Sequence, residues 1–349
     1  MFAATNKRAI WLIFLYAACA ACLRVVTFNI HAWRDANHCC NFDRLVELLN
    51  QLQPDVLCLN EVLDPFVAPP AEDPYWEAVR QRRGYGYTLP KEAVPSCKSE
   101  AFLNRLADAL ELPHFAFGAA TMTRSFFGKC GFGNAILSKH VLSSVRRAIA
   151  VSTEADLYLG GQKRTHEDLE DRGCVFAIVE LPCGARLGMA CAHLDHKAEE
   201  LRERQCCYFL QEASDAFGPE LPYMLCGDLN SFDARDMHED GWQAICALYE
   251  SKGWPPPRSR SLVRDALAAA GLRDTFGAVE ATGETAECPP PTSWTATRID
   301  YIMARDGESH ALRVTSHRTV PSHMSDHLPV FVDVEIVRSS SPSELETAD

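Results

Sequence analysis

The chain has 349 residues, of which 47% are hydrophobic, 23% charged and 9% aromatic, enough apolar material for a packed core and too much for general disorder. Its 34 basic and 47 acidic residues give a formal charge of -13, which disfavours broad nonspecific gripping of long nucleic acid, since that depends on lysines and arginines displacing counterions. A phosphate substrate remains compatible, because a bound cation and a few basic side chains can concentrate positive field in one cleft.

Lys7 and Arg8 precede an apolar, Ala- and Cys-rich run over 9–23 that carries Ala18-Cys19-Ala20 near its end. Residues 1–22 are therefore expected to be a signal peptide or apolar anchor, with an unprocessed apolar extension as the alternative. The run falls short of the roughly 20 residues that span a bilayer. A signal would place the protein in the secretory pathway or at a membrane, and otherwise it stays intracellular.

Residues 23–33 combine β-branched and aromatic side chains and read as a buried strand that delivers the polar Asn29. A helical period over 41–50 is stopped by Pro54, and an apolar strand over 55–61 ends at Glu61. Pro65, Pro69, Pro70 and Pro74 make the next stretch irregular, and 99–112 has an amphipathic helical pattern with Ser99 as N-cap. Strands follow over 134–138, 174–181 and 186–193, the last two joined by a turn at Pro182-Cys-Gly184. A helix is predicted over 198–216 and a strand over 223–230. Proline-rich loops at 254–257 and 288–291 flank a helix near 262–270; neither reads as a domain linker. One domain over 23–337 results, closed by a strand over 328–337 and followed by a disordered acidic tail over 338–349. Of the fifteen cysteines, Cys58, Cys191 and Cys226 sit in apolar strands and read as buried thiols. Cys39, Cys40, Cys97, Cys130, Cys206, Cys207 and Cys288 occupy segments where a bridge is possible, with no pairing fixed.

Several of these strands end in polar groups: Asn29, Glu61, His193 with Asp195, and Asp228 with Asn230, joined later by Asp300 and Asp326-His327. Buried polar groups are costly unless paired or metal-bound, so their recurrence at strand ends points to a common partner, a hard divalent cation. Glu61 suits a direct ligand. Asp228 and Asn230, two apart on a strand end, share a face and could hold an attacking water. Asp300 and His327 suggest a carboxylate–imidazole pair in which the acid fixes the ring tautomer.

The segments Thr27-Phe-Asn29, Asn60-Glu-Val62, Gly133-Asn-Ala-Ile-Leu-Ser138, Ala192-His-Leu-Asp195, Gly227-Asp-Leu-Asn230, Arg298-Ile-Asp-Tyr301 and Ser325-Asp-His-Leu-Pro329 follow one another over 23–337. In that order they resemble the endonuclease/exonuclease/phosphatase (DNase I-like) superfamily. The resemblance implies an α/β fold, a four-layer sandwich in which two facing mixed sheets are covered by helices, and Mg²⁺- or Mn²⁺-dependent phosphoester hydrolysis. It implies metal-site roles for Asn29, Glu61 and Asp326. Asp228 would orient or deprotonate the water, Asn230 would hold it, His193 would donate to the developing charge, and Asp300 would orient His327. Arg172 resembles a phosphate-contacting arginine, with a surface ion pair among 167–171 as the alternative, and Asn134 is a candidate substrate contact or strand-end bond.

Fold does not select the substrate. A nucleic-acid end or nucleotide-like phosphodiester is favoured, a lipid head-group phosphodiester of the sphingomyelinase kind is the alternative, and a catalytically silent phosphate-binding module is an alternative of another class. A monomer without an extended basic DNA-binding surface is expected. His31, His38, His166 and His196 read as surface histidines, and Arg80, Arg82, Arg83, Arg258, Arg260 and Arg264 as solvated charges.

Overall fold

The β-branched run after Ala21 and the apolar runs ending at Glu61, His193 and Asp228 become the central strands of the protein. The computed structural model describes residues 21–65, 101–123, 130–161, 170–280 and 289–338. Residues 1–20 of the expected signal or anchor, Pro69, Pro70, Pro74, Ser99, Cys97, Cys288, His166, Arg80, Arg82, Arg83 and the tail beyond Arg338 lie outside the described residues. The strands are β1 (Ala21–Asn29), β2 (Val56–Asp64), β3 (His114–Thr123), β4 (Cys130–Ser138), β5 (Val141–Ala150), β6 (Arg172–Glu180), β7 (Arg186–His193), β8 (Tyr223–Asp228), β9 (Arg273–Asp274), β10 (Asp300–Arg305), β11 (His310–Thr319) and β12 (Val330–Arg338). The helices are α1 (Phe42–Leu52), α2 (Phe102–Ala109), α3 (Glu199–Phe217), α4 (Glu239–Lys252), α5 (Leu262–Ala269) and α6 (Thr275–Glu280).

Two six-stranded sheets form, ordered β11-β12-β1-β2-β4-β3 and β5-β6-β7-β8-β10-β9. Each is mixed, with β1 parallel to β2 in one and β7 parallel to β8 in the other. An apolar core lies between them: Val25, Val56 and Cys58 from the first sheet meet Val175, Met189, Cys191 and Cys226 from the second. Outside the first sheet pack Phe42, Leu45 and Leu49 of α1 and Leu103 and Leu106 of α2. Outside the second pack Cys206, Phe209 and Ala213 of α3 and Val263 and Leu267 of α5. Helix, sheet, sheet, helix is the four-layer sandwich that the resemblance implied.

Several boundaries shift for physical reasons. β1 begins at Ala21, which pairs with Ile336, so the sheet takes in the last two residues of the expected leader. It stops at Asn29 because His31, Ala32 and Trp33 take left-handed φ of 51°, 53° and 63°. α1 starts at Phe42 without a side-chain cap: the Asn41 amide donates instead to the carbonyls of Ile30 and Met324, tying the helix start to a distant loop. Ser261 caps α5 by accepting from the Arg264 amide at 3.0 Å. Cys39, Cys40, Cys130, Cys206 and Cys207 are free thiols, and Cys58, Cys191 and Cys226 are buried. Among the described residues no helix is long and apolar enough to cross a membrane.

The glycine of Gly-Asp-Leu-Asn has a steric reason. Gly227 has φ of 136°, and a Cβ there would lie 2.0 Å from the Ala192 carbonyl oxygen on β7. Gly227→Ala is expected to cost about 3 kcal/mol or more, since backbone must move on both strands. A fall in the urea midpoint with the m-value unchanged would report it.

Candidate active site

Strand register assembles the site. On β1 and β2, Asn29 pairs with Asn60, and the ladder from β2 to β4 then slips between Leu59 and Val62. Glu61 sits in that bulge with a left-handed φ of 56°. A bulge re-aims a side chain that regular alternation would send elsewhere, and a non-glycine residue is held in this region only when its surroundings fix it. On the second sheet His193 lies opposite Asp228 across β7 and β8, and Asp228 lies opposite Asp300 across β8 and β10. Three strands thus deliver three ionisable side chains in one row.

The last pair comes from a loop. Ser325 Oγ donates to the Asn29 carbonyl at 2.8 Å and accepts from the His327 amide at 3.2 Å, anchoring Asp326 and His327 beside the end of β1. Beneath the site the sheets are stapled by buried amides. Asn60 Nδ2 donates to the Ala192 carbonyl at 2.9 Å and to Asn134 Oδ1 at 3.0 Å, while its Oδ1 accepts from the Asp228 amide at 2.9 Å. Asn134 Nδ2 in turn donates to the Gly173 carbonyl at 2.7 Å. Both polar ends of Asn134 are therefore engaged by protein, and it is not among the residues that line the cavity.

Asn29 Nδ2 donates to Glu61 Oε1 at 3.1 Å and to Asp228 Oδ2 at 3.0 Å, and its Oδ1 accepts from the His31 amide. Two carboxylates thereby converge on one nitrogen. Asn230, at φ of 50°, donates from Nδ2 to His193 Nε2 and to the Leu194 carbonyl, both at 3.1 Å, and from its amide to Asp228 Oδ1 at 2.9 Å. His327 Nδ1 is 2.8 Å from Asp300 Oδ2, and its Nε2 is 3.7 Å from Asp228 Oδ2. Ligand atoms of Asp228, Asp300 and His327 all lie within 4.8 Å of one another. Asp326 Oδ1 lies 3.6 Å from His31 Nδ1.

Burial sets the charges. It pushes Asp228 up to about 7, against the pull of His327, which outweighs the repulsion from neighbouring Asp300 but not the cost of burial. Burial also opposes charging of His327, yet the Asp300 and Asp228 carboxylates outweigh it and hold the ring well above the ordinary imidazole value. His193 goes the other way: burial and the adjoining Arg172 guanidinium hold it well below. The two imidazoles are thus driven in opposite directions, His327 toward its cation and His193 toward its neutral form.

Arg172 is 4% exposed, with Nη1 3.3 Å from His193, Nη2 3.0 Å from His196 Nδ1, and an ion pair to Glu170 at 2.8 Å. It lines the cavity as well as forming the expected acidic-cluster pair. His196 departs from the surface expectation. It is half-buried, lines the cavity, and is pushed down to about 4 by burial and Arg172. Its position one residue past Ala-His-Leu-Asp was the available signal. His31 is likewise buried, at 8% exposure. Asp195 accepts from the amides of Lys197 and Ala198, bracing the turn that leads into α3.

These groups open into one cavity of about 760 Å³, lined by Glu61, His193, Asp228, Asn230, Asp326 and His327 on its polar side. Asn29 and Asp300 stand directly behind that row. No curated protein matches the chain. In structure it is similar to an endonuclease/exonuclease/phosphatase from Beutenbergia cavernae, at 21% identity and a TM-score of 0.56 over 90% of this chain and 72% of that one. It is also similar to a family protein from Leptotrichia buccalis, at 16% identity and a TM-score of 0.54 over 90% and 99%. ANGEL2, described as a 2′,3′-cyclic phosphatase, matches at 16% identity with a TM-score of 0.53 over 90% and 95%. A family model spans residues 35–327, from the turn after β1 to the last histidine of the site, and on that span the chain belongs to the endonuclease/exonuclease/phosphatase family.

Proposed function

We propose that the protein is a divalent-metal-dependent phosphodiesterase that cleaves nucleic-acid ends or nucleotide-like diesters by in-line attack of water. The observation that carries this reading is the Asn29 amide drawing Glu61 and Asp228 to one point, with His327, driven toward its cation, and His193, driven toward its neutral form, close to Asp228. Two carboxylates so placed repel each other in a site that pushes Asp228 up to about 7. A hard cation is the economical remedy, and an all-oxygen donor set suits Mg²⁺ or Mn²⁺. Glu61 would be the direct ligand, with Asn29 and Asp326 completing the metal site.

The bound ion would supply Lewis-acid neutralisation of the phosphate oxygens. The rest belongs to the side chains. Asp228, poised near neutrality, takes a proton from water, and Asn230 holds that water beside it. Asp300, fully buried, fixes the tautomer of His327 and sustains its positive charge, which faces the oxygens that gain charge as the ester breaks. Arg172 places a permanent positive charge behind His193, where it can act on a phosphate entering the cavity.

The test is hydrolysis of small phosphodiesters with Mg²⁺, with Mn²⁺ and with chelator. Turnover is expected with either ion and should fall by at least about three orders of magnitude in chelator, as losing several kcal/mol of charge stabilisation implies. A catalytically silent phosphate binder would bind but release no product, and chelator-resistant turnover would overturn the reading.

A further inference from the structure

One wall of the cavity has no part in the chemistry above. α4 and the chain beside it contribute Leu248, Tyr249 and Trp254, with Phe232 adjoining. Their rings lock edge to face: Phe232 and Tyr249 at 82°, Tyr249 and Trp254 at 90°, and His196 against Trp254 at 78°. Interlocked rings of this kind make a rigid surface. Trp294 lines the same cavity and is 66% exposed. Its backbone is fixed, since its amide donates to the Asp326 carbonyl at 2.8 Å and hydroxyls of Ser293, Thr295 and Thr297 bond one another across its turn. A single exposed indole is ordinary by itself, but this one lines the same cavity as the ring cluster, so the two together offer aromatic faces to whatever enters it.

Charge adds a second observation. Arg172 already contacts Glu170, His193 and His196. Lys252, at the end of α4, lines the cavity with no ion pair or hydrogen bond among the described residues.

We propose that the aromatic wall and Trp294 form a subsite for the planar base of a nucleotide-like substrate, and that Lys252 takes a second phosphate carried by the same molecule. This rests on the phosphodiesterase reading and narrows it to small, base-bearing substrates with an extra anionic group. A base stacks on such rings whatever its identity. A lipid would need a broader apolar landing surface, whereas Trp294 is the only strongly exposed large apolar side chain among the described residues lining the cavity. Glu170, Asp171 and the net charge of -13 disfavour a long polyanion.

The experiment compares kcat/KM on four diesters: the dinucleotide ApA, its terminally phosphorylated form pApA, ring-free glycerophosphocholine, and dihexanoyl phosphatidylcholine. The expected order places pApA first, then ApA, with both choline compounds well behind. Trp294→Ala should lower kcat/KM on both dinucleotides about ten- to hundredfold, the range that loss of one stacked base gives. The same change should leave glycerophosphocholine turnover within about twofold, because stacking has no partner there. Lys252→Gln should abolish the advantage of pApA over ApA and leave ApA itself unchanged. Equal losses on every diester, faster cleavage of the lipid, or pApA no better than ApA would overturn the proposal. If no diester is cleaved with either metal, the phosphodiesterase reading fails separately. The subsite is then judged by calorimetric binding of pApA to metal-free protein, where binding weakened by Trp294→Ala supports it and absence of binding overturns it.

Discussion

Changing Glu61 to glutamine is expected to lower kcat by about three orders of magnitude while leaving the fold as stable as before, because several kcal/mol of transition-state charge stabilisation depend on the cation this carboxylate would hold. Glutamine keeps the shape and can still accept from Asn29, so the amide that organises the site retains a partner on that side. What disappears is one of two negative charges drawn to a single nitrogen, and relief of that repulsion means the thermal midpoint should hold or rise. Two measurements separate the outcomes: calorimetric Mn²⁺ binding should weaken in step with kcat, and the unfolding transition should not fall. A variant that turns over near the original rate would remove Glu61 from the metal site. One that loses activity and stability together would make it a structural residue instead.

The strained backbone at Glu61 explains why sequence pattern reached this residue without describing how it gets there. Period-two alternation sends Asn60 and Glu61 to opposite faces of β2, and nothing in Asn-Glu-Val announces the slip between Leu59 and Val62 that re-aims one of them. Asn29, His193 and Asp228 were legible because each ends an apolar strand, and strands with that composition have few alternatives. Asn134 sits in an equally motif-like setting yet ties two sheets together, since an amide serves as readily for cross-linking carbonyls as for touching substrate. His196 was hidden by the opposite problem. A lone histidine after a strand resembles a solvated one, and only Arg172 and Trp254 closing around it make it part of the cavity.

Where tertiary packing overrides local propensity, the sequence says less. α4 carries a charged N-terminal turn and only Ile245 and Tyr249 as buried side chains, too thin an apolar stripe to stand out, and it is recruited by the ring cluster around Phe232. β5 alternates poorly because it is an edge strand exposed along much of its length. Expectations about α3 fared better, since its inward face repeats Leu201, Gln205, Phe209 and Ala213 at helical spacing. Its first turn buries an ion pair no pattern indicates: Glu199 accepts from Arg202 at 2.6 Å, from Ser231 at 2.7 Å and from the Leu262 amide at 2.8 Å. That carboxylate joins α3, the loop after Asn230 and the start of α5 from behind the site.

Asp300 and His327 are expected to behave as one unit. Asp300→Asn should reduce kcat about a hundred- to ten-thousandfold, the range a positioned acid–base group contributes. His327→Ala should do at least as much, and the double variant should be no slower than His327→Ala alone. The reason is geometric. Asp300 is fully buried behind His327 with Oδ2 2.8 Å from Nδ1, outside the cavity lining, so its influence on the reacting phosphate passes through the ring. Asparagine can donate where the carboxylate only accepts, which turns the imidazole toward the wrong tautomer and withdraws the charge that keeps it cationic. Once the ring is gone, nothing remains for Asp300 to act on, and the free energies of the two single changes cannot add. Independent, multiplying losses would mean instead that Asp300 reaches the reaction by another route. The nearest is Asp228, its neighbour across β8 and β10, and the tight Asp228, Asp300 and His327 cluster would then act as a cation site and not as a proton-handling pair.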